Sequence, residues 1–211
     1  MNLKSLSKYC LPVFFFFVLI FDIETTKAQN TISDYLNSGA AKGMINDYWG
    51  AADEFSKALA INPNHEDALY NRSLCYIKIR KYRDAISDLT KLLVISPEQS
   101  RAYHQRAVCK NALGDYQSAL KDMNDAIQLL NNESPYYFQR AWSNFNLTQY
   151  EDALSDLNAA IQLDQQNAPA YYRRGIVNYL NGDRTNACTD LSKAAELGMV
   201  EAYDVIKIYC R

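Results

Sequence analysis

Gly114-Asp-Tyr-Gln-Ser-Ala119-Leu-Lys-Asp122-Met123-Asn-Asp-Ala126 decides how the chain is read, because the stretch comes back every 34 residues. Thr148-Gln-Tyr-Glu-Asp-Ala153-Leu-Ser-Asp156-Leu157-Asn-Ala-Ala160 is its next copy, and Arg80-Lys-Tyr-Arg-Asp-Ala85-Ile-Ser-Asp88-Leu89-Thr-Lys-Leu92 the one before. Set in phase from about Thr31 to the C-terminus, five copies share an alanine column at Ala51, Ala85, Ala119, Ala153 and Ala187. Four places on stands a large apolar residue: Phe55, Leu89, Met123, Leu157 and Leu191. Three further on come Ala58, Leu92, Ala126, Ala160 and Ala194. A period of this length marks an array of stacked supersecondary units. Such arrays expose long surfaces rather than enclosed catalytic pockets.

Each copy holds two runs of helical spacing. In the third, Ala102, Tyr103, Arg106, Ala107 and Lys110 fall on one face; the second run places Tyr116, Ala119, Leu120, Met123, Ala126 and Ile127 together. Gly114-Asp115 separates the runs, and Gly182-Asp183, Asn46-Asp47, Arg80-Lys81 and Thr148-Gln149 hold the same place elsewhere. Pro63 and Pro97 follow the second runs of the first two copies, where proline stops a helix. Small residues in the alanine columns allow antiparallel helices to approach closely, with the large residue one turn later filling the space beside them.

On these columns the chain resembles the tetratricopeptide-repeat family, whose unit is a 34-residue helix-turn-helix. The resemblance implies an all-α, right-handed solenoid of five units at about 32–65, 66–99, 100–133, 134–167 and 168–200, with a capping helix over 201–211. Lys42, Lys110, Asn144 and Asn178 depart from the family pattern, standing where an aromatic residue is usual.

A second ladder runs through the first helices. Arg72, Arg106, Arg140 and Arg174 are each followed, 16 residues later, by Asp88, Asp122, Asp156 and Asp190. That spacing sets the two groups on facing helices of one hairpin and predicts fork-like pairs that fix its register. The first copy carries Ser38 and Glu54 at these places.

Residues 1–28 differ in kind. Lys4 and Lys8 precede twelve apolar or aromatic-rich positions from Cys10 to Phe21, and the segment exits through Thr26-Lys27-Ala28. The run is short of the roughly 20 residues that span a bilayer, and it reads as a secretory signal cleaved after Ala28. An uncleaved N-terminal anchor is the alternative. The expected location is periplasmic or extracellular. Losing Lys4, Lys8, Lys27, Asp22 and Glu24 moves the net charge from −2 only to −3, which leaves no electrostatic footprint for nucleic acid or anionic lipid.

His65 and His104 stand in different copies, and neither they nor the cysteines show metal-ligand spacing. No nucleophile motif, phosphate loop or dinucleotide fingerprint occurs, so catalytic residues, a metal and a cofactor are not expected. Cys75 and Cys109 occupy equivalent places in adjacent copies, and the distance between stacked helices keeps them apart as separate thiols. Cys188 and Cys210 begin the last second helix and end the capping helix, placed to form a staple in an oxidising compartment.

The family resemblance also implies that the first helices line a concave groove. The corresponding stripe reads Leu36, Ala40, Gly43; Tyr70, Leu74, Ile77; His104, Val108, Asn111; Phe138, Trp142, Phe145; and Tyr172, Ile176, Tyr179. Candidate partner contacts are Tyr70, His104, Phe138, Trp142, Phe145, Tyr172 and Tyr179, with aromatic content concentrated in the last two copies. These rings either face a ligand or pack against one another and close the groove. The carboxylate clamp of co-chaperone members is broken: Asn71 matches and Arg101 is a possible lysine substitute, but Leu36, Ala40 and Gln105 supply no suitable donor. The sequence therefore points to a non-enzymatic scaffold binding a peptide or helix of a protein partner. A structural subunit of a cell-envelope assembly is the second reading, and a glycan or polymer carrier the third.

Overall fold

The turn that joins the two runs of each copy is built on left-handed backbone. Asn46, Arg80, Gly114, Thr148 and Gly182 have φ of 62°, 60°, 80°, 60° and 86°, one residue per copy at the 34-residue interval. The computed structural model describes residues 31–210; the leader assigned to residues 1–28 lies outside them. After four of these turn residues, the next amide reaches back to a carbonyl five residues earlier. Asp47 N donates to Lys42 O, Asp115 N to Lys110 O, Gln149 N to Asn144 O and Asp183 N to Asn178 O, each at 2.9 Å. This wrapped C-terminus satisfies carbonyls that would otherwise be orphaned. Where the residue after the turn is aspartate, it also caps the second helix: Asp47 accepts from Gly50 N, Asp115 from Ser118 N and Asp183 from Asn186 N. Lys81 and Gln149 give no such cap.

The described residues form two compact units, divided between Ile79 and Arg80. The first contains helix α1 over 31–44, α2 over Tyr48–Ile61 and α3 over Glu66–Lys78. Its core is Ala51, Ala52, Phe55 and Cys75, flanked by Leu36, Tyr48 and Tyr76. Gly39 is required here by space: a Cβ at that position would stand 2.7 Å from the Phe55 ring.

The second unit contains α4 (Tyr82–Ile95), α5 (Ser100–Ala112), α6 (Tyr116–Leu129), α7 (Ser134–Asn146), α8 (Tyr150–Leu163), α9 (Ala168–Leu180), α10 (Arg184–Glu196) and α11 (Val200–Tyr209). Each helix packs on the next, and α5 also meets α7. Among the described residues the architecture is helix and turn alone. Ala85, Ala119, Ala153 and Ala187 have no accessible surface; Leu89, Met123, Leu157 and Leu191 are at most 1% exposed. The small residues Ala107 and Ala141 of α5 and α7 are as deeply buried. On α9 the same place is Gly175, where an added Cβ would come within 2.9 Å of Leu191 and 3.0 Å of the Ala187 carbonyl.

Helix α11 lays Ala202 and Ile206 over Ala194 and Ala195 of α10, with Tyr171 and Tyr172 alongside. A disulfide joins Cys188 to Cys210 across 22 residues, with 5.6 Å between the Cα atoms. Cys75 and Cys109 are free, buried thiols. No helix of the described residues is long and apolar enough to cross a membrane.

Equivalent turn positions therefore carry residues of opposite fitness for one backbone. An L-residue costs about 1–2 kcal/mol in the left-handed region, while glycine there costs only its extra unfolded-state entropy, about 0.5–1 kcal/mol. In urea unfolding, Thr148→Gly is expected to raise stability by about 0.5 kcal/mol and Gly114→Thr to lower it by about 1 kcal/mol. Changes of the same sign at the two positions would refute this account of the turns.

Candidate functional site

The arginine ladder reaches further than one hairpin. Arg106 Nε and Nη2 donate to the two carboxylate oxygens of Asp122 at 2.9 and 2.8 Å. Arg140 grips Asp156 at 2.6–3.1 Å, and Arg174 grips Asp190 at 2.9 and 2.6 Å. The remaining Nη1 of each turns to the preceding second helix: Arg106 to Thr90, Arg140 to Asn124 and Arg174 to Asn158, at 3.2, 2.9 and 2.6 Å. In the first unit Arg72 Nη1 donates to Ser56 at 3.0 Å. Each of the three later arginines thus ties three successive helices. Asp88, the acid in phase with Arg72, is buried in the second unit.

The polar departures from the aromatic column complete these nodes. Lys110 meets Asp122 at 2.7 Å, Asn144 donates to Asp156 at 2.9 Å, and Asn178 donates to Asp190 at 3.1 Å. In the first copy, where serine replaces the arginine, Lys42 pairs with Glu54 at 2.7 Å. A polar cavity of about 300 Å³ surrounds the Arg140 node, but Arg140, Asn144, Asn124 and Asp156 in its lining already bond one another. Every guanidinium nitrogen of Arg106, Arg140 and Arg174 has an acceptor within the framework.

The aromatic stripe behaves differently. Phe138, Trp142 and Phe145 of α7 line a cavity of about 410 Å³ together with Tyr172, Arg173 and Ile176 of α9. Leu157 of α8 and Met199, just before α11, also line it. Trp142 and Phe145 stack with ring centres 5.7 Å apart, so each holds the other's orientation. Arg173 lies over the Trp142 ring at 3.8 Å and over Phe138 at 4.6 Å. Burial pushes its pKa down to about 10, which leaves the guanidinium charged at neutral pH. Its Nη1 is buried with no hydrogen-bond acceptor.

Four of the seven candidate contact residues, Phe138, Trp142, Phe145 and Tyr172, therefore meet in one apolar cavity. The other three do not join them. Tyr179 packs 4.6 Å from Tyr209 of the terminal helix, with Arg184 over its ring. His104 is covered by Tyr136, ring centre to ring centre 4.9 Å, because a tyrosine fills the place that alanine holds at Ala102 and Ala170. Burial pushes the His104 pKa down to about 4. Tyr70 is half-buried on α3 in the first unit. Arg173 escaped the sequence reading, since its column (Asn71, Gln105, Gln139) carries no charge in the other copies. Among the described residues no three His, Cys, Asp or Glu side chains converge as a metal site.

Three segments match family models: residues 54–87 and 100–131 match models described as tetratricopeptide repeat, and residues 145–182 one described as TPR repeat. No curated protein matches the sequence. Among solved structures, MamA from Desulfovibrio magneticus RS-1 superposes with a TM-score of 0.75 at 17% identity, covering 79% of this chain and 94% of that one. YrrB, described as a TPR protein with an unusual peptide-binding site, gives 0.71 at 23%, covering 89% and 97%. PilF from Pseudomonas aeruginosa gives 0.72 at 15%, covering 82% and 78%. At these identities the likeness is one of fold.

Two predictions separate framework from surface. Arg140→Leu strands the buried Asp156 with Asn144 as its one remaining donor among the contacts above, so urea unfolding should show a loss of about 3 kcal/mol, partly restored in Arg140→Leu/Asp156→Leu. An unchanged melt would move Arg140 out of the framework. His104 is neutral in the fold, whereas the unfolded chain takes up a proton near the usual 6.5. The unfolded state therefore binds more protons between pH 6.5 and 4, and stability falls as pH drops through that window. His104→Phe should remove up to about 3 kcal/mol of that pH dependence, read as a flatter curve of melting temperature against pH. Parallel curves for the two proteins would refute the burial of a neutral imidazole.

Proposed function

The chain is a tetratricopeptide-repeat protein, and we propose that it works as a non-enzymatic scaffold that seats a peptide or helix of a protein partner against α7 and α9. The observation that carries this reading is the convergence of Phe138, Trp142, Phe145 and Tyr172 on one cavity, left open beside a framework whose polar groups are already paired. Large, mutually braced rings lose little conformational freedom on binding, which is why aromatic residues dominate interface energetics. YrrB, a protein of the same fold, is described as having a peptide-binding site, and this supports the class of ligand.

The scaffold acts outside the cytoplasm in this proposal. The signal-like residues 1–28 favour export, and the Cys188–Cys210 disulfide suits an oxidising compartment. A second reading, a structural subunit of an envelope assembly, draws on apolar side chains exposed at helix ends and turns, among them Met44 at 86%, Val200 at 72% and Ile208 at 68%.

Pull-down by the full chain, followed by calorimetric titration of the captured partner, distinguishes the two. Trp142→Ala is expected to weaken capture by about 30-fold or more, the scale of an interface hot spot, with the helical circular dichroism unchanged. Capture that survives in Trp142→Ala and is lost on changing Val200 and Ile208 to serine would establish the assembly reading instead.

A further inference from the structure

Arg173 is the one cavity-lining residue with a full charge, and its surroundings do not discharge it. The Trp142 and Phe138 faces, 3.8 and 4.6 Å away, attract the cation and fix its plane. A ring face supplies no lone pair in the guanidinium plane, and Nη1 stays buried without an acceptor. A buried donor left without an acceptor is costly, and more so when it is charged. The next residue shows what this fold does when an arginine is structural: Arg174 has Asp190 and Asn158 as acceptors and spends its donors on them. Arg173 faces instead Phe138, Trp142, Tyr172 and Ile176 around about 410 Å³ of space.

We propose that Arg173 is a specificity-determining residue that receives a glutamate side chain of the bound partner segment, flanked there by apolar side chains that fill the aromatic cavity. This rests on the groove reading above and names its ligand chemistry. A carboxylate offers the in-plane lone pairs that the ring faces lack, and it forms a charge-assisted bond with the part of Arg173 that lines the cavity, strengthened by the low-dielectric walls. Glutamate fits better than a chain-terminal carboxylate. Its two methylenes lie along apolar walls while the partner's backbone amides remain outside. A terminal carboxylate would instead draw its own peptide group into a lining whose other polar atoms are the Trp142 indole and the Tyr172 hydroxyl.

The test is selection of random heptapeptides displayed on phage, against the full chain and against Arg173→Met and Trp142→Ala. Peptides enriched on the full chain should carry glutamate beside an aromatic or large aliphatic residue. A synthetic copy should lose about tenfold or more in affinity when that glutamate becomes glutamine, as a lost charged hydrogen bond predicts. Arg173→Met should still enrich apolar peptides but without the acid, and on it the glutamate and glutamine peptides should bind alike. Two results would overturn the assignment: an acid-free consensus on the full chain, or an unchanged glutamate preference on Arg173→Met. Enrichment confined to a library with free C-termini would overturn glutamate in favour of a terminal carboxylate. Failure of the groove reading looks different, because no enrichment would then depend on Trp142.

Discussion

Everything in the second unit follows from how closely its helices approach. Ala85, Ala119, Ala153 and Ala187 have no accessible surface, and Gly175 has no room for even one added carbon beside Leu191 and the Ala187 carbonyl. At that distance backbone meets backbone, so the hairpin has one well-packed arrangement rather than a family of them. The large residue one turn along sets the second dimension of the contact. Where it is phenylalanine, at Phe55, the opposite position has shrunk to Gly39.

Close approach has an electrostatic consequence. Asp122, Asp156 and Asp190 are 5% or less exposed, and a buried carboxylate is tolerable only when paired and fully hydrogen-bonded. The fork of the in-phase arginine meets part of that need. The rest is met by Lys110, Asn144 or Asn178 from one turn further along the same helix. The positions that look like departures from the family pattern are thus the second donors of the buried acid. The arginine's spare nitrogen reaches the preceding second helix, so one side chain registers three helices.

The sequence shows these layers unequally. Repetition at 34 residues makes the alanine, large-apolar and Arg–Asp columns legible, because the contacts recur in successive hairpins, the Arg–Asp fork in three of them, and the spacing alone sets the partners on facing helices. The hydrogen-bond acceptors Ser56, Thr90, Asn124 and Asn158 also lie in one column, yet their differing chemistry hides it; what they share is an oxygen acceptor at one place. Contacts of single copies are harder still. Nothing in the period tells that Tyr136 fills an alanine place and covers His104, or that Tyr209 of the terminal helix meets Tyr179. Both are neighbours supplied by a break in the repeat.

Arg173 and Arg174 show in two residues how framework and surface are separated. One helical step turns a side chain by about 100°, enough to carry it from the seam between helices to the face that looks into the cavity. In the seam the guanidinium meets oxygens placed there by the repeat, and its donors are satisfied whatever the protein binds. On the cavity face no column supplies an oxygen, since the stripe beside it is aromatic in this part of the chain. A cation there is held by ring faces and left one acceptor short. The repeat completes the buried acids Asp122, Asp156 and Asp190 because each has its donors in phase. Arg173 stands outside that phase, and its ring neighbours attract its charge without giving Nη1 an acceptor.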